Sequence, residues 1–175
     1  MARKTKTGGL VFGLAASAIM AFAIPAQAQQ ATQLGSFNAW SAWQATDASG
    51  SICYISAQPQ KSEPAGVNRD PIHFMIIHRK GLGTKNEVQT LIGYPFNATA
   101  AGASASVDGK SYPMVTEGSA AWLASTGDEA GFVTAFKGGT QMVVRGTSQR
   151  GTNTVDTYSL SGATAAMNAI DTACQ

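Results

Sequence analysis

Histidine, cysteine and charge are all scarce in this chain. Of its 175 residues two are His and two are Cys, and Asp, Glu, Lys and Arg together make up 13 %. With so few ligating side chains, His73 and His78 are the first place to look for a bound metal or a moving proton. The cysteines, Cys53 and Cys174, lack the C-x-x-C spacing of a redox pair. No G-x-S-x-G elbow occurs, and no long repeat or low-complexity tract beyond the mild Ala, Gly and Ser richness of "NATAAGASAS", which reads as loop.

The one long apolar run sits at the N-terminus. Arg3, Lys4 and Lys6 precede apolar residues from Leu10 to Ile24 and a small-residue A-x-A ending at Ala28. This is the layout of a secretory signal peptide over residues 1–28, leaving one domain over residues 29–175. The run is too short to favour a retained membrane span, and no cysteine follows the cut to carry a lipid. Without those three basic residues, nine of the twelve Lys and Arg remain against ten Asp and Glu, a net charge near −1. The excess positive charge of the whole chain therefore belongs to the targeting segment, and no nucleic-acid partner is expected. A chain of this length folds as one domain and needs no metal to do so.

Export to an oxidising compartment favours a disulfide between Cys53 and Cys174 over two free thiols. Such a bond closes most of the mature chain into one loop, worth roughly 5 kcal/mol in the chain-entropy account and often less in practice.

After the signal the apolar period is mostly two, cut by turn residues. "FNAWSAWQA" and "SICYISAQP" flank "TDASG" as a first hairpin. "KSEPAGVNRD" reads as a polar loop and "PIHFMIIHR" as a strand, after which "GLGTKN" turns the chain into "EVQTLIGY". Asp108-Gly109 in "ASVDGKSYPMV" is the strongest hairpin signal, and a later hairpin runs around "QRG". Two segments read as helices. "TGDEAGFVTAFKGG" pairs Thr126 with Glu129 as a capping box, with Phe132, Val133 and Phe136 as its apolar side. "SGATAAMNAIDTACQ" opens on Ser161 as a cap and sets Ala163, Ala166, Met167, Ile170 and Cys174 on one stripe facing the core. About eight short strands with two short helices, one of them C-terminal, imply an all-β fold, a β-sandwich with helical decoration.

Several motifs resolve into ordinary structure. The Gly-Lys-Ser of "VDGKS" lacks the glycine five positions before Gly109 that a phosphate-binding loop requires, and "GLGTKN" ends in Asn86 where a dinucleotide fingerprint needs glycine. In both cases the residues that follow read as strand and not as helix. Trp40 and Trp43, three apart on a strand, face opposite ways, one to the core and the other packed in the ordinary way against a neighbouring strand, with half-exposure to carbohydrate or protein contact as the minority view. Arg145 and Arg150 read as solvated arginines at a hairpin tip, with an anionic partner as the minority view. Asn97-Ala98-Thr99 matches a glycan acceptor pattern, which matters only where the glycosylation machinery exists. On a strand, His78 points with Ile72, Phe74 and Ile76, and His73 points with Met75, Ile77 and Arg79. The two imidazoles then lie on opposite sides of a sheet and cannot chelate one ion. No metal, cofactor or catalytic residue is expected.

The sum of "FNAWSAW", "ICYISAQPQKSEPAGVNRDPIHFMIIHR", "IGYPF", "VDGKSY" and especially "VVRGTSQRGTNTVDTYSLSGATAAMNAIDTAC" resembles the invasion-associated locus B family of Gram-negative bacterial proteins. The similarity runs from about Leu34 to Cys174. The resemblance implies an immunoglobulin-like β-sandwich in a small exported protein, periplasmic, outer-membrane associated or secreted. It implies a role in invasion of host cells through surface contacts, with an unknown protein or surface component as partner, and brings no catalytic residues. Two alternatives stand beside it: a periplasmic binding or stress-related module acting on another envelope component, and, weaker, a hydrolase.

Overall fold

A computed structural model describes residues 30–99 and 102–175. The expected signal peptide, residues 1–28, lies outside the described residues. Among the described residues eleven strands follow one another almost hairpin by hairpin. They are β1 (Thr32–Phe37), β2 (Trp40–Asp47), β3 (Gly50–Ala57), β4 (Lys61–Glu63), β5 (His73–Arg79) and β6 (Thr84–Leu91). Then come β7 (Ser104–Val107), β8 (Lys110–Glu117), β9 (Ala120–Leu123), β10 (Gln141–Thr147) and β11 (Asn153–Ser159). The helices α1 (Glu129–Gly138) and α2 (Ala163–Ala173) follow β9 and β11 respectively.

All pairings are antiparallel, in the order β1-β2-β3-β5-β6-β9-β8-β7-β10-β11-β4. The sheet folds over at β8. Its first half, Lys110 to Pro113, pairs with β7, and its second half, Met114 to Glu117, pairs with β9. Pro113, which lacks an N–H to give a ladder, stands at the changeover. The halves meet face to face, since Phe74 on β5 and Tyr158 on β11, far apart in the sheet order, have ring centroids 5.9 Å apart. The all-β class with a C-terminal helix is as the sequence implied, and the two layers come from one continuous sheet.

Strands are more numerous than the pattern suggested. "FNAWSAWQA" is not one strand: Asn38, at φ 52°, turns the chain between β1 and β2. Short polar side chains tolerate this left-handed conformation best. Three residues of the polar loop after β3 form β4, an edge strand that Lys61, Glu63 and Pro64 keep short and charged. The expected hairpins at Asp47–Gly50, Asp108-Gly109 and Gln149–Gly151 are present. Asp108 adds a tie of its own, accepting from the Thr140 and Gln141 backbone N–H groups and from the Thr140 hydroxyl. Those hydrogen bonds hold its carboxyl below the usual range.

The helix positions hold, but their caps differ. A short 3-10 turn, Thr126–Asp128, precedes α1, and Ser125, not Thr126, accepts from the Gly127 N–H. At α2 the expected cap Ser161 makes no capping bond, and Gly162 at φ 89° occupies the N-cap. A side chain there would run into the Phe37 carbonyl, so the close approach of helix and β1 requires glycine. The apolar stripes are as expected: Phe132, Val133 and Phe136 are buried on α1, and Ala163, Ala166, Met167 and Ile170 on α2. Phe132 and Phe136 stack beside Phe74, while Trp40 meets Phe136 edge-on.

Two long-range links lock this arrangement. Cys53 on β3 and Cys174, just after α2, form a disulfide with Cα atoms 5.9 Å apart, both buried. Arg69, in the loop read as polar, turns inward with its side chain 6 % exposed and forks onto the wholly buried Asp156 of β11 at 2.6 and 2.8 Å. It also donates to the Ile92 carbonyl and lies over the Tyr94 ring. A buried carboxylate is tolerated only with such compensation, because desolvating a lone charge costs more than most contacts return.

Both links can be tested by removal. Arg69→Ala strands Asp156 and should lower unfolding free energy by about 3–5 kcal/mol, whereas Arg69→Leu combined with Asp156→Leu should recover most of it; denaturant titration of both variants measures this. Protein isolated under oxidising conditions should resist alkylation until reduced and then gain two adducts by mass spectrometry. Alkylation without reductant would contradict the bond.

Candidate binding face

The strand β5 presents its two sides to different surroundings. Phe74, Ile76 and His78 are buried toward the core, and His73 and Met75 are half-exposed on the other face. The alternation read from the sequence holds, and the imidazoles lie on opposite sides of the sheet. Ile77 is buried as well, next to a register irregularity before Arg79.

His78 is 1 % exposed beneath α2. Its Nδ1 accepts the Asn86 backbone N–H at 3.2 Å, so Nε2 carries the proton and donates to Asp171 Oδ1 at 2.9 Å. The second oxygen of Asp171 accepts from Lys137 Nζ at 3.0 Å, which ties α1, α2 and β5 together. Both ring nitrogens are engaged and the ring is out of solvent, so His78 fastens α2 to β5. Burial pushes the Asp171 carboxyl up, but the hydrogen bonds from His78 and Lys137 and the charge of Lys137 outweigh it and hold the group below its ordinary value. The cluster escaped sequence reading because His78 and Asp171 are 93 residues apart and nothing local links them.

His73 lies in an open hollow of about 660 Å³ on the outer face of β2, β3 and β5. Antiparallel register sets the side chains of this whole face in rows that run through the hollow and beyond it. Trp43 stands opposite Tyr54, which stands opposite Ile77; the next row runs Ser41, Ser56, Met75, Gln89 and then Trp122 of β9. The Trp43 and Tyr54 rings are near-parallel, 15° apart with centroids at 6.5 Å. Partial burial pushes the Tyr54 phenol up. Met75 and Leu91 continue the apolar floor, and Gln58, Gln60, Ser56 and His73 supply amides, a hydroxyl and an imidazole. No Asp, Glu, Lys or Arg lines the hollow among the described residues. Trp40, the partner of Trp43 in the sequence motif, is 1 % exposed in the core, so the two tryptophans do face opposite ways.

The Nδ1 of His73 lies 3.1 Å from Ser56 Oγ. An activated serine also needs its base oriented by a third group, and among the described residues no carboxylate hydrogen-bonds His73. Among them, too, no three His, Cys, Asp or Glu side chains come together as a metal site. A second cavity, about 620 Å³, opens between the β10–β11 turn and the loop around Arg69. The Arg69 guanidinium beside it is already committed to Asp156, while Arg150 on its rim and Arg145 on β10 are exposed. No helix among the described residues is long and apolar enough to cross a membrane.

The Asp171 pairing has a pH signature. A carboxyl held low in the folded state contributes stability that is present above its ordinary value of 3.8 and is lost as pH falls through the folded value. Asp171→Asn should therefore lower the melting temperature at neutral pH and flatten its decline below about pH 4 relative to the unaltered protein. Parallel melting curves across that range check it.

Comparison with known proteins gives a family match. Residues 40–171 match the family described as "Invasion associated locus B (IalB) protein". No curated protein and no solved structure matches the chain. The matched stretch begins at Trp40 on β2, ends at Asp171 on α2, and takes in most of the outer hollow and the core beneath it. On that match, over well more than half its length, the chain belongs to the invasion-associated locus B family.

Proposed function

We propose that this protein is exported to the cell envelope and acts there without catalysis, by contact through the outer face that bears Trp43, Tyr54 and His73. The observation that carries the reading is the division of labour on β5. His78 is consumed in holding the helices, whereas the opposite side of the same strand carries half-exposed side chains over an open hollow. The disulfide and the family membership are consistent with export. Invasion of host cells is the role that the family name supplies, and it requires the contact face to reach the outer surface. A periplasmic module binding another envelope component would use the same face without exposure to the medium. A hydrolase would have to rest on Ser56 and His73, a pair without an orienting carboxylate among the described residues.

Treatment of intact cells with an added protease separates the first two readings. Surface action predicts digestion before the outer membrane is permeabilised. Digestion only afterwards would remove the host-contact role and leave the periplasmic module.

A further inference from the structure

Resting on the reading of the outer face as a contact surface, we propose that the hollow over β2, β3 and β5 is a binding site for a neutral saccharide. A pyranose ring would lie against Trp43 and Tyr54, with its hydroxyls hydrogen-bonded by Gln58, Gln60 and His73. The chemistry of the lining selects this ligand. Without a charged side chain in its lining, the hollow offers nothing to neutralise a phosphate, a carboxylate or an ammonium group. A purely apolar ligand would leave the amides, hydroxyls and imidazole at the rim without partners, which desolvation makes costly.

A sugar ring satisfies both demands at once. Its C–H groups form a weakly polar face that packs on an aromatic ring, and its hydroxyls project sideways as donors and acceptors. Trp43 and Tyr54, cross-strand partners with near-parallel rings, present such aromatic surface. Amides donate and accept at the same time, and His73, bonded through Nδ1 to Ser56, keeps Nε2 for a ligand. The volume, about 660 Å³, falls within the roughly 300–1,000 Å³ of small-ligand sites, and the hollow is open on one side, as a segment of a longer glycan needs. A protein interface would more often set Arg beside such aromatic and apolar side chains, and no Arg lines this hollow.

The test uses the exported chain with its disulfide intact, titrated with cellotriose and with triacetylchitotriose and followed by calorimetry and by NMR. The expected result is saturable binding to at least one of the two, weakened about ten-fold or more by Trp43→Ala and also weakened by Gln58→Ala with Gln60→Ala. Trp122→Ala, which alters a tryptophan outside the hollow on the same face, should leave it unchanged. Should Trp43→Ala lower the melting temperature, the double glutamine variant carries the test alone. Absence of saturable binding to both sugars overturns the proposal, as does binding that Trp43→Ala and the glutamine changes leave intact. A parallel arm compares attachment of purified wild-type and Trp43→Ala protein to whole envelopes. Loss of attachment there without sugar binding overturns the saccharide while preserving the contact face, and a Trp43-dependent dimer in sedimentation assigns the face to a second copy instead. If neither sugar nor envelope binding depends on Trp43, both readings fall.

Discussion

Phe74 is where the two halves of the folded sheet are joined. Its ring lies within 6.5 Å, centroid to centroid, of Trp40 from β2, Phe132 and Phe136 from α1 and Tyr158 from the opposite half. Facing layers of a bent sheet are held by side-chain burial and aromatic packing, since the ladder bonds run within each layer. Once Phe74 faces inward, the period of two fixes the rest of β5: Ile76 and His78 follow it into the core, and His73 and Met75 are sent out. A slip of one residue would exchange the two sets. The chemistry available on the outside is therefore decided by a packing requirement on the inside.

Burial on this side brings polar groups with it. His78 enters the core with both ring nitrogens satisfied, and Asp156 enters with a bidentate arginine. The Tyr158 hydroxyl is buried and makes no hydrogen bond among the described residues, and burial and then the Asp156 charge push its ionisation far up. It stays neutral, and its ring supplies the contact with Phe74. The polar links join segments distant in sequence: the loop before β5 to β11, and β5 to α2, with the disulfide adding β3 to the C-terminus. Through them α2 lies on the inner side of the sheet, which leaves Ser41, Trp43, Tyr54, Ser56 and Met75 half-exposed on the other side.

What could be read from the sequence was local or periodic. The Asp108-Gly109 turn, the two helical stripes, the alternation of β5 and the opposite facing of Trp40 and Trp43 depend on neighbours within a few residues. The disulfide was legible for another reason, because there were only two cysteines to pair. What stayed hidden needs a partner from elsewhere. Arg69, in a loop with Lys61, Glu63, Asn68 and Asp70, looks solvated until Asp156 is brought to it across the fold. Ser161 looks like a helix cap until Phe37 closes on the next residue and makes glycine obligatory. Asn38 could have been seen, since a short polar residue inside an apolar stretch is a turn signal, but the aromatics on either side masked it.

The same distinction explains why the hollow was only half visible. One tryptophan turned outward follows from alternation alone. That Tyr54 stands opposite it depends on the β2–β3 register, and that Ser56 meets His73 depends on the pairing of β3 with β5 across the intervening β4 loop. A surface assembled from three strands has no signature in any one of them. Its character nevertheless has a local cause, because each strand places its best-buried apolar residues inward and leaves Ser, Tyr, Trp, His and Met among those on the other side. Aromatic rings on such a face gain most by packing across strands, and the row they form is what a ligand meets. The core and the candidate site are thus two faces of one pattern, and the residues that make the first stable leave the second open.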